Sequence, residues 1–133
     1  VLIDGCPAGL AITEDDFTED IIRRKSGAKG TTPRIEDDKP ILVSGVFNGY
    51  TTGAPLLISF QNKNTKSEDY KELFNFPRPG HADFTFDRKY GFRDYRGGGR
   101  SSARETVVRV AAGVVAMKVL TWLHKDRASS SRS

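Results

Sequence analysis

The chain has 133 residues and a mass of 14.7 kDa, enough for one domain with a core and too few for two comfortable ones. Hydrophobic residues at 37% and charged residues at 29% give the balance of a soluble globular protein, and the longest apolar run, around Val110 to Met117, falls well short of the ~20 residues that span a bilayer, so no membrane span is expected. The net charge of +4 is concentrated: residues 76–109 hold seven Arg and one Lys against four acids, while the rest of the chain balances thirteen basic against thirteen acidic residues, as an anion site does and an evenly solvated surface does not.

In chain order, "VLIDG" reads as a strand running into a turn, without an initiator Met or a basic leader, as if the chain were entered in the middle of a sheet. Cys6, the single cysteine, excludes an internal disulfide and fits a reducing, cytoplasmic compartment; no Cys/His spacing makes a metal site. Thr13 followed by Glu14, Asp15 and Asp16 resembles a helix N-cap with an acidic first turn, and Phe17, Ile21 and Ile22 continue at helical spacing. Arg23, Arg24 and Lys25 close that helix where its dipole favours cations. Residues 29–39 read as a loop, and "ILVSGVF" and "LLISFQN" as the strands of a hairpin whose connection, "NGYTTGAP", is a longer loop. Residues 70–74 read as a short helical or irregular turn. Ser102 to Glu105 forms a capping box for a helix that is apolar on nearly all faces as far as Leu123, and such a helix belongs at the centre of a fold. The closing "DRASSSRS", residues 126–133, is a polar Ser-rich tail.

The basic stretch "RDYRGGGRSSARE" admits two readings. One is a disordered Arg-Gly segment that binds RNA or another polyanion; the other is an ordered loop that wraps cations around a small anion. Arg-Gly segments that bind RNA repeat their triplet in a disordered context, whereas here Gly97, Gly98 and Gly99 occur once and lead straight into a capped helix. Glycines before a helix start leave backbone N–H groups free to face an anion, and Arg100, Ser101, Ser102 and Arg104 add directional donors for phosphate or carboxylate. The spacing matches neither a phosphate-binding loop with Gly-Lys-Ser/Thr nor a dinucleotide fingerprint. His81, in "RPGHAD" with Pro77 and Pro79 stiffening the backbone around Arg78, is held beside cations that favour its neutral form, which suits proton transfer.

In order along the chain, "DGCPAG", "DIIRRKSGAKGTTPRIEDD", "SGVFNGYTTGAP", "RPGHADFTFDRKYGFRDYRGGGRSSARET" and "RVAAGVVA" closely resemble the chorismate synthase family, over residues 1 to about 125. The resemblance implies an α+β fold with helices sandwiched between antiparallel β-sheets, and a lyase activity in aromatic amino acid biosynthesis: anti-1,4-elimination of phosphate from 5-enolpyruvylshikimate 3-phosphate to give chorismate. It implies reduced FMN as cofactor, with NADPH as reductant if the enzyme is bifunctional, a homotetramer, and no nucleic-acid or membrane partner. Carried onto this sequence, it makes His81 the histidine beside the flavin, Arg78, Ala103 and Arg104 substrate contacts, and Arg100, Ser101 and Ser102 the flavin-binding stretch. Arg24 matches an arginine of the substrate-binding cluster, and Lys29 or Arg34 stands where the family has a further arginine. The family chain is more than twice as long and carries a second catalytic histidine, in Gly-Glu-Ser-His-Gly, ahead of the stretch that Val1 opens. These 133 residues alone are therefore expected to be inactive.

Overall fold

The structure, a computed structural model, describes residues 1–25, 37–61, 75–95 and 103–130. It divides into two compact units, one formed by Val1–Gln61 with Val107–Ser133 and the other by Asn62–Thr106.

The first unit is built on a three-stranded antiparallel sheet in the order β1 (Leu2–Ile3), β5 (Leu56–Phe60), β2 (Pro40–Ser44). The expected pairing of the two apolar runs is borne out: Leu42 lies opposite Ile58 and Ile41 opposite Ser59. Pro40 begins an edge strand, where its missing N–H breaks no central ladder. In β5 the side chains alternate, so Leu56 and Ile58 are fully buried while Leu57 faces the other side. The amino group of Val1 donates to the Ile58 carbonyl at 2.7 Å, tying the start of the chain to the middle of the sheet.

The connection between β2 and β5, expected as an open loop, contains a second small hairpin of β3 (Val46–Phe47) and β4 (Tyr50–Thr51). Asn48 and Gly49 both have positive φ, 48° and 80°, which is the two-residue type I′ turn that Asn-Gly favours. Gly45 lets the chain leave β2: at φ 81° an added Cβ would lie 2.7 Å from both the Leu56 Cα and the Pro55 carbonyl oxygen, so no side chain fits. Thr51 is buried in β4; its hydroxyl donates to the Pro7 carbonyl and accepts from the Leu10 N–H, pinning residues 7–12 against the hairpin.

The expected helix after Thr13 begins as a 3-10 turn, Glu14–Phe17, and continues as α1 (Thr18–Arg24). Asp16 closes the start by accepting from the Thr13 N–H at 2.7 Å. Phe17, Ile12, Leu56 and Ile58 form the fully buried centre of the core, joined by Ile21 and by Val107, Ala111, Val114 and Val115 of α3 (Thr106–Ser130). Lys118 of α3 reaches Asp16 at 2.6 Å. Burial pushes the Asp16 pKa up, but the Lys118 ammonium and the Thr13 donors outweigh it and the net shift is downward.

Within this chain α3, expected to be central, is buried along its first half. Met117, Leu120 and Leu123 are 52%, 58% and 44% exposed. Geometry gives the reason: a helix of 25 residues is about 37 Å long, whereas a five-residue strand covers only about 17 Å. By length and composition α3 could cross a membrane, a possibility that the run-length criterion missed because Arg109 and Lys118 interrupt the apolar sequence; its buried stripe instead joins the sheet core. The helix also continues through much of the Ser-rich end, to Ser130.

In the second unit the described elements are α2 (Asp83–Tyr90), ended by Gly91 in the left-handed conformation, and a 3-10 turn, Ala103–Glu105, that leads into Thr106. The Thr106 hydroxyl donates to the Ala103 carbonyl at 2.7 Å, and the helical stretch opens at Ala103 with this 3-10 turn before it becomes α3. Ser102 itself, and residues 70–74, lie outside the described residues.

Candidate functional site

The "RPGHAD" segment folds into a closed turn. Arg78, Pro79, Gly80 and His81 follow the pattern of a type II turn, with Pro second, Gly third at φ 74°, and the His81 N–H donating to the Arg78 carbonyl at 3.3 Å. The turn delivers the chain to the first residue of α2, Asp83, whose carboxylate reaches back over it. Asp83 accepts from the Arg78 backbone N–H at 3.1 Å and from the guanidinium twice, Nε to Oδ2 at 2.8 Å and Nη2 to Oδ1 at 3.0 Å. This is the fork geometry that makes arginine–carboxylate pairs directional. His81 sits at the far end of the closed turn and is exposed.

Arg93 lies behind this pair with only 6% of its side chain exposed. Its Nε donates to Asp87 at 2.8 Å, and Nη1 lies 3.9 Å from Asp83. Arg78, Asp83, Arg93 and Asp87 thus form an alternating ladder of two cations and two anions. The hydrogen bonds from the Arg78 side chain hold the Asp83 carboxyl at about 2, with further lowering from the Arg78 N–H and the two guanidinium charges, against the upward push of burial. The acid is therefore a fixed anion at any physiological pH.

Arg24, at the C-terminal end of α1, belongs to the first unit. It pairs at 2.9 Å with Asp38, whose side chain is 2% exposed and whose backbone takes a positive φ of 44°, uncommon for a residue with a Cβ. Among the sequence-predicted site residues, Arg78 and His81 are brought onto one turn and Ala103 and Arg104 onto another. Arg34, Arg100, Ser101 and Ser102 lie outside the described residues. No cluster able to hold a metal occurs among the described residues. A groove of about 390 Å³ in the first unit, lined by Leu10, Asp16, Met117, Lys118, Trp122 and Lys125 among others, includes none of the predicted site residues.

What sequence reasoning missed is the acidic half of the site. Asp83 and Asp87 entered only as charges subtracted from the basic total of residues 76–109, and Asp38 only among the balanced charges of the rest, yet each holds an arginine in place. The signal was present for Asp83: an acid at the first position of a helix, directly after a Pro-Gly turn, faces the orphan N–H groups and whatever cation precedes them.

The sequence profile described as chorismate synthase matches residues 1–128. A chorismate synthase of Lachnospira eligens is 61% identical over 124 residues, covering 92% of this chain and 34% of that protein. The corresponding protein of Chitinophaga pinensis is 61% identical over 121 residues, covering 90% and 36%. A crystal structure of chorismate synthase superposes with a TM-score of 0.63 at 29% identity, covering 92% of this chain and 30% of that one. The chain thus spans about a third of the length of the curated relatives it matches.

Proposed function

The chain belongs to the chorismate synthase family, and from that premise we propose that it forms part of an enzyme that eliminates phosphate from 5-enolpyruvylshikimate 3-phosphate to give chorismate. The observation that carries this reading is the 61% identity to named chorismate synthases over 92% of the chain. In this 1,4-elimination the carbon–oxygen bond to phosphate breaks at one end of the ring's existing double bond and a proton leaves carbon at the other end, so that the one double bond becomes a conjugated pair, with no net oxidation. A substrate with a phosphate and two carboxylates calls for fixed cations.

The structure supports that assignment by how it mounts the cations. Two of the arginines of the basic quarter, Arg78 and Arg93, are balanced within the ladder, and Arg78 is aimed by the Asp83 fork without a rotamer search when substrate arrives. Arg78, Ala103 and Arg104 contact substrate in this reading, and Arg24 and Arg34 belong to the same substrate-binding set. Donors of the type at Arg100, Ser101 and Ser102 suit the phosphate of FMN, and the exposed His81 imidazole, which has both a donor and an acceptor nitrogen, suits the place beside the flavin ring. Reduced flavin, when bound, supplies electron density to the elimination, and NADPH is the reductant if the enzyme reduces its own flavin. A homotetramer and a cytoplasmic location complete the proposal. The matched relatives do not favour the alternative of a polyanion-binding module.

The test is anaerobic turnover of 5-enolpyruvylshikimate 3-phosphate with reduced FMN. A full-length chorismate synthase chain carrying these residues forms chorismate and inorganic phosphate in equal amounts, and the 133 residues alone form neither. Phosphate release without chorismate, or no reaction by the full-length chain, overturns the reading.

A further inference from the structure

His81 is presented by a turn that another residue locks. The type II turn fixes the path of residues 78–81 through a single 3.3 Å hydrogen bond from the His81 N–H to the Arg78 carbonyl, a weak closure on its own. Two residues further on, Asp83 accepts three hydrogen bonds from Arg78, at 2.8, 3.0 and 3.1 Å, one from its main chain and two from its side chain. These bonds tie together the two ends of the segment that holds His81. Because the main-chain bond and the guanidinium fork converge on one carboxylate, the backbone at residue 78 and the direction of its side chain are set at the same time. The carboxylate is anchored in turn: it begins α2, it is buried, and the buried Arg93 guanidinium stands behind it, itself held by Asp87 one turn along the helix. Among the described residues of this unit no apolar side chain is buried, and the side chains taken out of water are those of Asp83 and Arg93.

We propose that Asp83 is a positioning residue of the site, which acts on the reaction by holding His81 and the Arg78 guanidinium in fixed relation across the closed 78–83 turn. It touches neither substrate nor flavin. The inference rests on the reading of His81 as a participant in the chorismate synthase reaction and adds the residue through which His81 is set.

The test is a double-mutant cycle on kcat in a full-length chorismate synthase chain carrying these residues, using Asp83→Asn, His81→Ala and the pair. Asparagine keeps the size of the side chain and one acceptor, and loses the charge and the second arm of the fork. Asp83→Asn lowers kcat about tenfold or more, because a small misplacement at a reacting group has a large kinetic effect. In the His81→Ala background the same change costs several-fold less than in the wild type, because one of the two groups it positions is gone and only the loss through Arg78 is left. A purely structural role lowers the melting temperature and gives the same fold-loss in both backgrounds; that additivity, or a normal kcat in Asp83→Asn, overturns the proposal. If the Asn variant does not fold, Asp83→Glu keeps the charge and displaces the carboxylate by one methylene, and the same dependence on His81 is expected. Failure of His81→Ala by itself to slow turnover strikes the underlying reading as well, which separates the two failures.

Discussion

The two units of this chain hold their shape by different physics. Residues of Val1–Gln61 and Val107–Ser133 share an apolar cluster in which Phe17, Leu56, Ile58 and Ala111 are fully buried. The described part of Asn62–Thr106 buries no large apolar side chain: Phe76, Phe84, Tyr90 and Phe92 are 73%, 58%, 63% and 82% exposed, and the groups taken out of water are the charges of Asp83 and Arg93. Hydrophobic burial is non-directional, and tolerates small shifts. A forked arginine–carboxylate pair is directional, so it sets the orientation of a cation while contributing less to cohesion. The described part of the unit that holds most of the assigned site residues is therefore organised by orientation, and that of the other unit by cohesion.

The difference is open to direct attack. Phe17→Ala removes a fully buried ring and is expected to destabilise the chain by about 3–5 kcal/mol in denaturant unfolding, whereas Phe92→Ala, on a ring 82% exposed, changes stability by less than about 0.5 kcal/mol. Similar losses in the two variants would erase the contrast. Acid sharpens it from the other side. With its folded pKa held at about 2 against an ordinary 3.8, Asp83 binds its proton more readily in the unfolded chain. Its contribution, on the order of 2 kcal/mol, is complete above about pH 4 and is lost as pH falls towards 2. Asp16 is also depressed, by its Lys118 and Thr13 partners against the upward push of burial, so it too contributes stability that acid removes. The difference in melting temperature between the wild-type chain and Asp83→Asn therefore isolates the turn: it shrinks as pH falls from 5 to 2, and a constant difference across that range would show that the carboxylate charge is not what closes the turn.

The local rules of sequence were a good guide where a residue's conformation is decided by its neighbours in the chain. Two β-rich runs bounded by turn residues marked the paired strands, and Pro77 and Pro79 marked a stiffened backbone around Arg78. Asn48-Gly49 is equally local, and its type I′ hairpin was readable but was absorbed into a longer loop because two-residue strands leave little apolar signal. Other features depend on partners distant in sequence. The pairing of Leu2 with Leu57, and the exposure of Leu120 on a helix apolar all round, are set by which surfaces the rest of the fold brings near. The ion ladder was hidden for a third reason: summing charge over residues 76–109 treats Asp83 and Asp87 as dilution of a basic patch, when their pairing with Arg78 and Arg93 is what gives the patch its geometry. Arg93, without a role on sequence grounds, is now the buried tie between the two acids.

The central claim is that the turn stapled by Asp83 exists to present His81 to a reaction. It is tested most directly by the anaerobic rate of chorismate formation in the His81→Ala variant of a full-length chain carrying these residues, set beside the wild type. His81 is exposed and lies outside the buried cluster of the described residues, so the account predicts an unchanged melting temperature and a rate lower by about 100-fold, the scale of a lost proton-transfer group. A wild-type rate in that variant would contradict it.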